Sequence, residues 1–171
     1  RSSDLHILVI GMISLAAGAK QLEIAVIENT DRDWLIVRVR DDGRGMDAKA
    51  LRQVLDQNVT SKKSRRKAIG LGLAFLRQTS EMCGGTFHIR SAPGRGTSVT
   101  ASMRFSHVDR PPLGDLNATV LALCANPKVD VQLHCRSNGQ TFHFSSQEGR
   151  YDEPRRTQEA QGKGAAASRA A

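Results

Sequence analysis

The chain has 171 residues, of which 39% are apolar, so it is long enough for one folded domain with a core and a short appendage. Aromatic residues make up only 4% of the sequence, and we therefore expect a mainly aliphatic core. The longest apolar stretch, residues 7–19, is shorter than the roughly 18 uncharged residues that a membrane span needs, so we expect a soluble protein without a membrane partner.

Basic residues outnumber acidic ones, and the formal net charge is +8. The densest basic block is residues 62–67, and further basic residues lie in the tail from residue 150. Such a block can meet a polyphosphate, or it can be a solvated loop without a ligand. Nucleic acid is the least favoured partner for the block, because no aromatic side chains interleave with its basic residues to stack on bases.

The three cysteines, Cys83, Cys124 and Cys135, are odd in number and show no C-x-x-C spacing. This pattern favours reduced, structural thiols over a disulfide framework or a zinc site. It predicts a cytoplasmic protein.

Apolar periodicity predicts alternating helices and hairpins over the first 105 residues. The first helix begins at a cap, Ser3 or Asp4, and ends at Gly18. The order of elements predicts a two-layer α/β sandwich with a mixed sheet and its helices on one face. The predicted elements are helix 4–17, strands 22–26 and 34–40, helix 47–55, a lid loop 56–69, helix 71–83, and strands 86–91 and 97–105.

The pattern is weaker after residue 105. Residues 106–112 are predicted to be a linker, followed by a helix at 113–125. A hairpin then turns at Asn138-Gly139, a strong turn signal. We therefore divide the chain into a domain of residues 1–105, a helix-hairpin extension of residues 106–147, and a disordered tail of residues 148–171.

Three glycine sites carry the functional signal. Asp41-Asp42-Gly43-Arg44-Gly45 follows a strand-like apolar run, Gly70-Leu71-Gly72-Leu73 opens an apolar helix, and Gly94-Arg95-Gly96-Thr97 joins two strands. A single Asp-Gly segment is usually a plain turn. In this order, with a basic segment between the first two, the three sites resemble the ATP-binding domain of the GHKL superfamily, which includes gyrase, heat-shock chaperones, histidine kinases and mismatch-repair ATPases. The resemblance covers residues 4–105 and implies a Bergerat-type fold that binds ATP or ADP.

The resemblance also implies roles for residues of the base pocket. The aspartate at the position of Asp41 accepts a hydrogen bond from the adenine amine, a contact that guanine cannot make. Gly43 and Gly45 then let the loop pass close to the purine, where a side chain would clash. Thr97 matches a threonine beside the adenine pocket, although a threonine at the start of a strand needs no function.

The phosphates are expected at the second glycine site. Gly70, Leu71 and Gly72 would begin a helix whose free backbone N–H groups meet phosphate oxygens, with close helix packing as the alternative reason for the glycines. Lys63 or Lys67, from the lid, could reach the terminal phosphate. The family pattern has a glycine where this chain has Ala68, which predicts a less flexible lid.

The first helix departs from the family pattern. Members carry an asparagine there that ligates Mg²⁺ and an acidic or amide residue four positions earlier that orients the attacking water. In this chain those positions are Ile13 and Val9, and a third polar position is Ala16. These apolar side chains cannot ligate a hard cation, so we predict no metal ligand and no catalytic residue. Mg²⁺ would depend on water and lid groups alone, and turnover would be weak or absent.

Within the superfamily, the chain most resembles small stand-alone, histidine-kinase-like ATP-binding proteins of anaerobic bacteria. Residues 106–115 are also similar to the corresponding segment of those proteins. No helix pair with a phosphoacceptor histidine precedes Asp4, so we expect a module that acts through an unidentified protein partner in signal transduction. Our first hypothesis is an ATP- or ADP-binding module with weak or no turnover. The alternatives are an active ATPase or protein kinase acting on a separate partner, and a non-enzymatic module that binds protein or nucleic acid through the basic lid.

Overall fold

The structure is a computed structural model that describes residues 3–55, 65–148 and 150–156. Its helices and strands follow the predicted order, with one further strand at the end. In chain order they are α1 (Ser3–Ala16), β1 (Gln21–Asn29), β2 (Trp34–Asp41), α2 (Ala48–Leu55), α3 (Arg65–Met82), β3 (Phe87–Ser91), β4 (Thr97–Arg104), α4 (Leu116–Cys124), β5 (Asp130–Ser137), β6 (Gln140–Ser145) and β7 (Arg150–Arg156).

The strands form one mixed sheet in the order β3-β4-β2-β1-β5-β6-β7. β1 pairs with β5 in parallel, and the other neighbouring strands pair antiparallel. Helices α1, α3 and α4 cover one face of this sheet, with α1 packed against both of the others. The predicted two-layer α/β sandwich with a mixed sheet is therefore confirmed.

The core lies between the sheet and these helices, and it is mainly aliphatic as predicted. Strands β1, β2 and β4 each bury alternate side chains, since successive residues of a strand point to opposite faces. The buried apolar residues include Leu22, Ile24, Val26, Leu35, Val37, Val39, Val99, Ala101 and Met103 from the strands and Ile7, Ile10, Leu73, Leu76, Val120 and Leu123 from the helices.

Helix α4 and the β5–β6 hairpin continue the same sheet and the same core. The parallel pairing of β5 with β1 joins them to the rest of the sheet. Gly11 of α1 lies against Leu123 of α4, where an added Cβ would come within 2.7 Å of a leucine methyl carbon. Asp115 caps α4 by accepting a hydrogen bond from the Ala118 N–H.

Two predicted boundaries are wrong by more than three residues. α3 begins at Arg65 and not near Leu71, so part of the predicted lid loop is helical. Arginine, lysine and alanine in this segment are good helix formers, which favours extension of an amphipathic helix. Residues 150–156, predicted to be disordered, form β7 through main-chain pairing with the edge strand β6. Such pairing does not require apolar side chains.

The remaining lid residues, 56–64, and the tail residues, 157–171, lie outside the described part of the chain. In the part that is described, no helix combines the length and apolar character that a membrane crossing needs.

Candidate functional site

The Asp41 carboxylate lies at the end of β2 and is buried, with 8% of the residue exposed. Its Oδ1 accepts hydrogen bonds from the N–H groups of Gly43, at 2.9 Å, and Thr97, at 3.2 Å. Its Oδ2 accepts a 2.7 Å hydrogen bond from the Ser14 hydroxyl of α1. The structure therefore brings Asp41, Gly43 and Thr97 together, as the sequence predicts, and adds Ser14.

A carboxylate has about four lone-pair positions for donors. The Ser14, Gly43 and Thr97 donors fill three of them. One acceptor position is left for a ligand donor such as an amine. The three protein donors also hold the carboxylate plane in one orientation, so the remaining position has a fixed direction.

The glycines of this site are required by close packing of the backbone. A Cβ on Gly43 would lie 3.0 Å from Asp41 Oδ1 and 3.1 Å from Ala17 Cβ. Gly45 has φ +65°, and a side chain there would overlap with the Ala92 carbonyl oxygen. Gly96 has φ +72°, and a side chain there would overlap with the main-chain carbonyl of Asp41. The loop after β2 therefore packs closely between the end of α1 and the β3–β4 turn.

Ser91 ties the β2 loop to the β3–β4 turn. Its hydroxyl accepts a 2.8 Å hydrogen bond from the Met46 N–H and donates one of 2.9 Å to the Gly96 carbonyl. The same oxygen lies 2.9 Å from the Thr97 hydroxyl. Thr97 is therefore fixed at both its N–H and its side chain.

Asp42 points away from this pocket and is exposed. Its Oδ1 accepts hydrogen bonds from the backbone N–H groups of Lys20, at 2.7 Å, and Gln21, at 2.9 Å. Partial burial raises the pKa of Asp42, but the hydrogen bonds from Gln21 and Lys20 outweigh this and hold the pKa below its usual value. Asp42 therefore fixes the start of β1, next to the buried Asp41.

Sequence reasoning missed Ser14 and Ser91 as members of the site and assigned Gly96 no role of its own. Ser14 carried a usable signal, because it is the only polar side chain in the apolar residues 7–17 of the first helix. Gly96 lay in a recognised turn, and its positive φ explains why glycine is required there. Ser91 carried no signal, since a serine at a strand end is common and its partners come from distant parts of the chain.

The face of α1 where the family places polar residues is apolar and partly packed. Val9 and Ile13 are half-buried, and Ala16 is exposed. A Cβ added to Gly72 of α3 would overlap with a methyl carbon of Val9, so the two helices cross closely at this point. Helix packing, which the sequence left open as the reason for Gly72, is thus one role of this glycine. In the residues that the structure covers, no group of His, Cys, Asp or Glu side chains could hold a metal ion.

The second glycine site differs in position from its prediction. Because α3 begins at Arg65, Gly70 and Gly72 lie inside the helix. The N–H groups of an α-helix that lack a partner in the helix are those of its first four residues, and Gly70 and Gly72 lie further along α3. Lys67 and Leu71 belong to the same helix, but their side chains lie outside the described residues, as does Lys63 entirely.

Comparisons with known proteins agree with this architecture. A family profile described as histidine kinase-, DNA gyrase B-, and HSP90-like ATPase matches residues 6–107. The sensor histidine kinase YxdK of Bacillus subtilis is 31% identical over 97 residues, which cover 55% of this chain and 29% of YxdK. The sensor histidine kinase DcuS of Escherichia coli is 36% identical over 72 residues, which cover 42% of this chain and 13% of DcuS.

A solved structure, the Aquifex aeolicus MutL ATPase domain complexed with ADP, aligns with a TM-score of 0.48 and 16% identity. The alignment covers 90% of this chain and 62% of that chain. The chain spans less than a third of the length of the kinases that it matches. The family match extends over more than half of the sequence. The chain therefore belongs to the histidine kinase-, DNA gyrase B- and HSP90-like ATPase family.

Proposed function

We propose that this chain binds an adenine nucleotide, ATP or ADP, and that Asp41 selects the base. The observation that carries the proposal is the buried Asp41 carboxylate, which has three protein donors and one acceptor position left. Adenine presents an amine that can fill this position, whereas guanine presents a carbonyl oxygen in its place. Gly43, Gly45 and Thr97 would form the walls of the base pocket.

The contacts of helix α1 support a position near α3 for the phosphates of the nucleotide. Ser14 contacts Asp41, and Val9 contacts Gly72. Five residues of a helix rise about 7.5 Å, a distance that suits the phosphates of a nucleotide whose base lies at Asp41. The free N–H groups at the start of α3, together with Gly70, Leu71, Lys67 and Lys63, remain the proposed phosphate contacts.

We further propose that turnover is weak or absent. Val9 and Ile13 offer no oxygen atom that could bind Mg²⁺ or orient an attacking water. On this face of α1, therefore, no side chain at these two positions would assist either metal binding or hydrolysis. Nucleotide occupancy would then be read by a protein partner, in a signalling role like that of a histidine-kinase module. The similarity to sensor histidine kinases favours a second candidate, phosphotransfer to a separate partner.

Calorimetric titration with ATP, ADP and GTP, with and without Mg²⁺, tests the proposal. We expect ATP and ADP to bind, GTP to bind much more weakly, and Mg²⁺ to change the ATP affinity little. Inorganic triphosphate is the control for simple attraction to a protein of charge +8. Equal binding of ATP, GTP and triphosphate would contradict base selection by Asp41.

A further inference from the structure

The sheet has a second face, away from the helices. Alternate residues of β1, β2 and β4 are buried against α1, α3 and α4, so the residues between them point to the opposite side. We call the outward side of β3, β4 and β2 the open face. Among the described elements, the helices pack on the other side of the sheet. The open face consists of His88, Arg90, Ser98, Thr100, Ser102, Arg104, Trp34, Ile36, Arg38 and Arg40.

The open face is basic and contains no acidic side chain. Arg38, Arg40, Arg90 and Arg104 are all exposed. Glu23, on the neighbouring strand β1, stands opposite Arg40 in the strand register. Even so, none of these four arginines lies within ion-pair distance of a carboxylate in the described residues. The charges of Arg38, Arg40 and Arg90 are therefore available to a ligand, whereas Arg104 also attracts the Asp33 carboxylate.

The strand register arranges these side chains in rows across the sheet. Arg90 stands opposite Ser98, which stands opposite Arg40, and the next row is His88, Thr100 and Arg38. Hydroxyl side chains thus alternate with basic ones at a strand spacing of about 4.8 Å. Arginine, serine and threonine side chains are the usual donors to phosphate oxygens of nucleic acids.

The same face carries rings on which bases can stack. Trp34, the only tryptophan of the chain, stands opposite Arg104, whose guanidinium carbon lies 4.5 Å from the ring centroid. His88 is exposed near the other end. Proteins that bind single-stranded nucleic acid on a sheet combine ring side chains and arginine planes, which stack bases, with basic groups that hold the backbone. On the open face, neighbouring strands provide both kinds of side chain, whereas the basic block 62–67 contains no ring side chain.

The two longest segments outside the described residues are not acidic overall. The segments outside the described residues, 56–64 and 157–171, contain Asp56 and Glu159 against Lys62, Lys63, Lys163 and Arg169. An acidic protein surface would satisfy the arginines but would leave the stacking rings unused. The ligand that fits both features is a polyanion with planar bases.

We propose that the open face binds single-stranded nucleic acid, with phosphates on Arg38, Arg40 and Arg90 and a base stacked at Trp34 and Arg104. This site is separate from the nucleotide pocket. The Asp41 carboxylate is buried on the helix side of the sheet, whereas the side chains of Arg40, Arg38 and Trp34 point to the opposite side. The proposal therefore does not depend on the function proposed for Asp41.

The test is fluorescence anisotropy with a labelled oligothymidylate of roughly 16 nucleotides, the upper end of known site sizes. The double variant Arg38→Ser/Arg40→Ser removes two arginines of the open face. The matched control, Arg52→Ser/Arg77→Ser, removes the same charge from exposed positions of α2 and α3. Thermal unfolding checks that both variants are folded.

We expect the open-face variant to bind at least about tenfold more weakly, the effect of one hydrogen bond to a charged group. The slope of log K against log salt concentration should fall by about 1.4, since each phosphate contact on a single strand contributes about 0.7. The control variant should bind like the parent. Equal weakening in both variants, or no binding by the parent, would overturn the proposal.

Trp34 gives a second measurement on the unaltered protein, because the chain has no other tryptophan. Stacking of a base should quench its fluorescence as the oligonucleotide saturates. Polyglutamate is the competitor that represents an acidic protein partner. If polyglutamate displaces the oligonucleotide charge for charge, or if saturation leaves Trp34 fluorescence unchanged, the face is not a nucleic-acid site.

Discussion

The Ser14 hydroxyl of α1 donates a 2.7 Å hydrogen bond to Oδ2 of Asp41 at the end of β2, and both side chains are buried. The first helix therefore supports the carboxylate proposed to read the base. On the same helix, Val9 and Ile13 replace the polar pair that would serve the metal and the phosphates. The helix therefore has a polar contact beside Asp41 and an apolar surface at the position proposed for the phosphates.

Replacing Asp41 by asparagine should weaken adenine nucleotide binding by about 1.5–3 kcal/mol, the range for a hydrogen bond that involves a charged group. The amide oxygen can still accept from Gly43 and Thr97, so the loop should keep its structure. Asp42→Asn is the matched control, because Asp42 is exposed and points away from the pocket. Calorimetry measures both, and unchanged ATP affinity in Asp41→Asn would show that Asp41 does not read the base.

Ser14→Ala should lower both stability and nucleotide affinity. The variant leaves a buried carboxylate with one donor fewer, a loss of about 1.5–3 kcal/mol. Ser80→Ala is the control: Ser80 is also buried in a helix, but its hydroxyl donates to the Leu76 carbonyl, a neutral bond that contributes about 0.5–1.5 kcal/mol. Urea unfolding and calorimetry separate the two effects. If the two variants lose the same stability and the same nucleotide affinity, Ser14 has no specific role at the site.

Gly72→Val should destabilise the fold as well as reduce nucleotide binding, because the added side chain meets Val9. Overpacking of this kind costs about 1–3 kcal/mol. Adding Val9→Ala should restore part of the lost stability, with a coupling energy of about 0.5–3 kcal/mol in a double-mutant cycle. Additive effects on urea unfolding would mean that the helices do not meet at these residues. Rescue of stability without rescue of ATP binding would assign Gly72 a second role, at the phosphates.

Hydrolysis of ATP by the parent should be near background. The double variant Val9→Asp/Ile13→Asn should make ATP binding depend more strongly on Mg²⁺, since it supplies oxygen ligands on the apolar face of α1. Some stability should be lost, because both positions are half-buried. Phosphate release and calorimetry with and without Mg²⁺ are the measurements. An ordinary enzymatic rate in the parent would instead favour an active ATPase or kinase.

The three cysteine thiols should react slowly in the folded protein. Burial raises the pKa of Cys83, of Cys124 and of Cys135, and for Cys135 burial together with the nearby Glu28 raises it to about 11. The thiolate is the reactive form, so at pH 8 only about one Cys135 in a thousand would be ionised. A thiol reagent should modify all three rapidly in denaturant and slowly without it. Rapid native reaction of any one would contradict structural roles for all three.

Much of the local structure follows from short-range patterns in the sequence. Asp47 accepts a hydrogen bond from the Ala50 N–H and begins α2, as predicted. Asn138 and Gly139, with φ of +48° and +78°, form the predicted hairpin turn. These features could be predicted because their partners are within a few residues, where residue type and backbone conformation decide the outcome.

The start of α3 and the strand β7 could not be predicted in the same way. Helix propensity was present in residues 65–69, but the basic charge of the segment favoured a loop interpretation. β7 depends on the exposed edge of β6, which exists only once the sheet has formed. The residue composition of a segment therefore predicts neither the start of α3 nor the pairing of β7.

The aliphatic core, the order of elements from α1 to β6, and the loop of Asp41, Gly43 and Gly45 follow from the sequence alone, since each depends on periodicity or on residues close in the chain. The folded structure was needed to show that Ser14 bonds to Asp41, that Val9 packs against Gly72, and that arginines from β2, β3 and β4 form one basic face. These three relationships join residues far apart in the chain. Their geometry is set by sheet register and helix docking, which one-dimensional spacing does not encode.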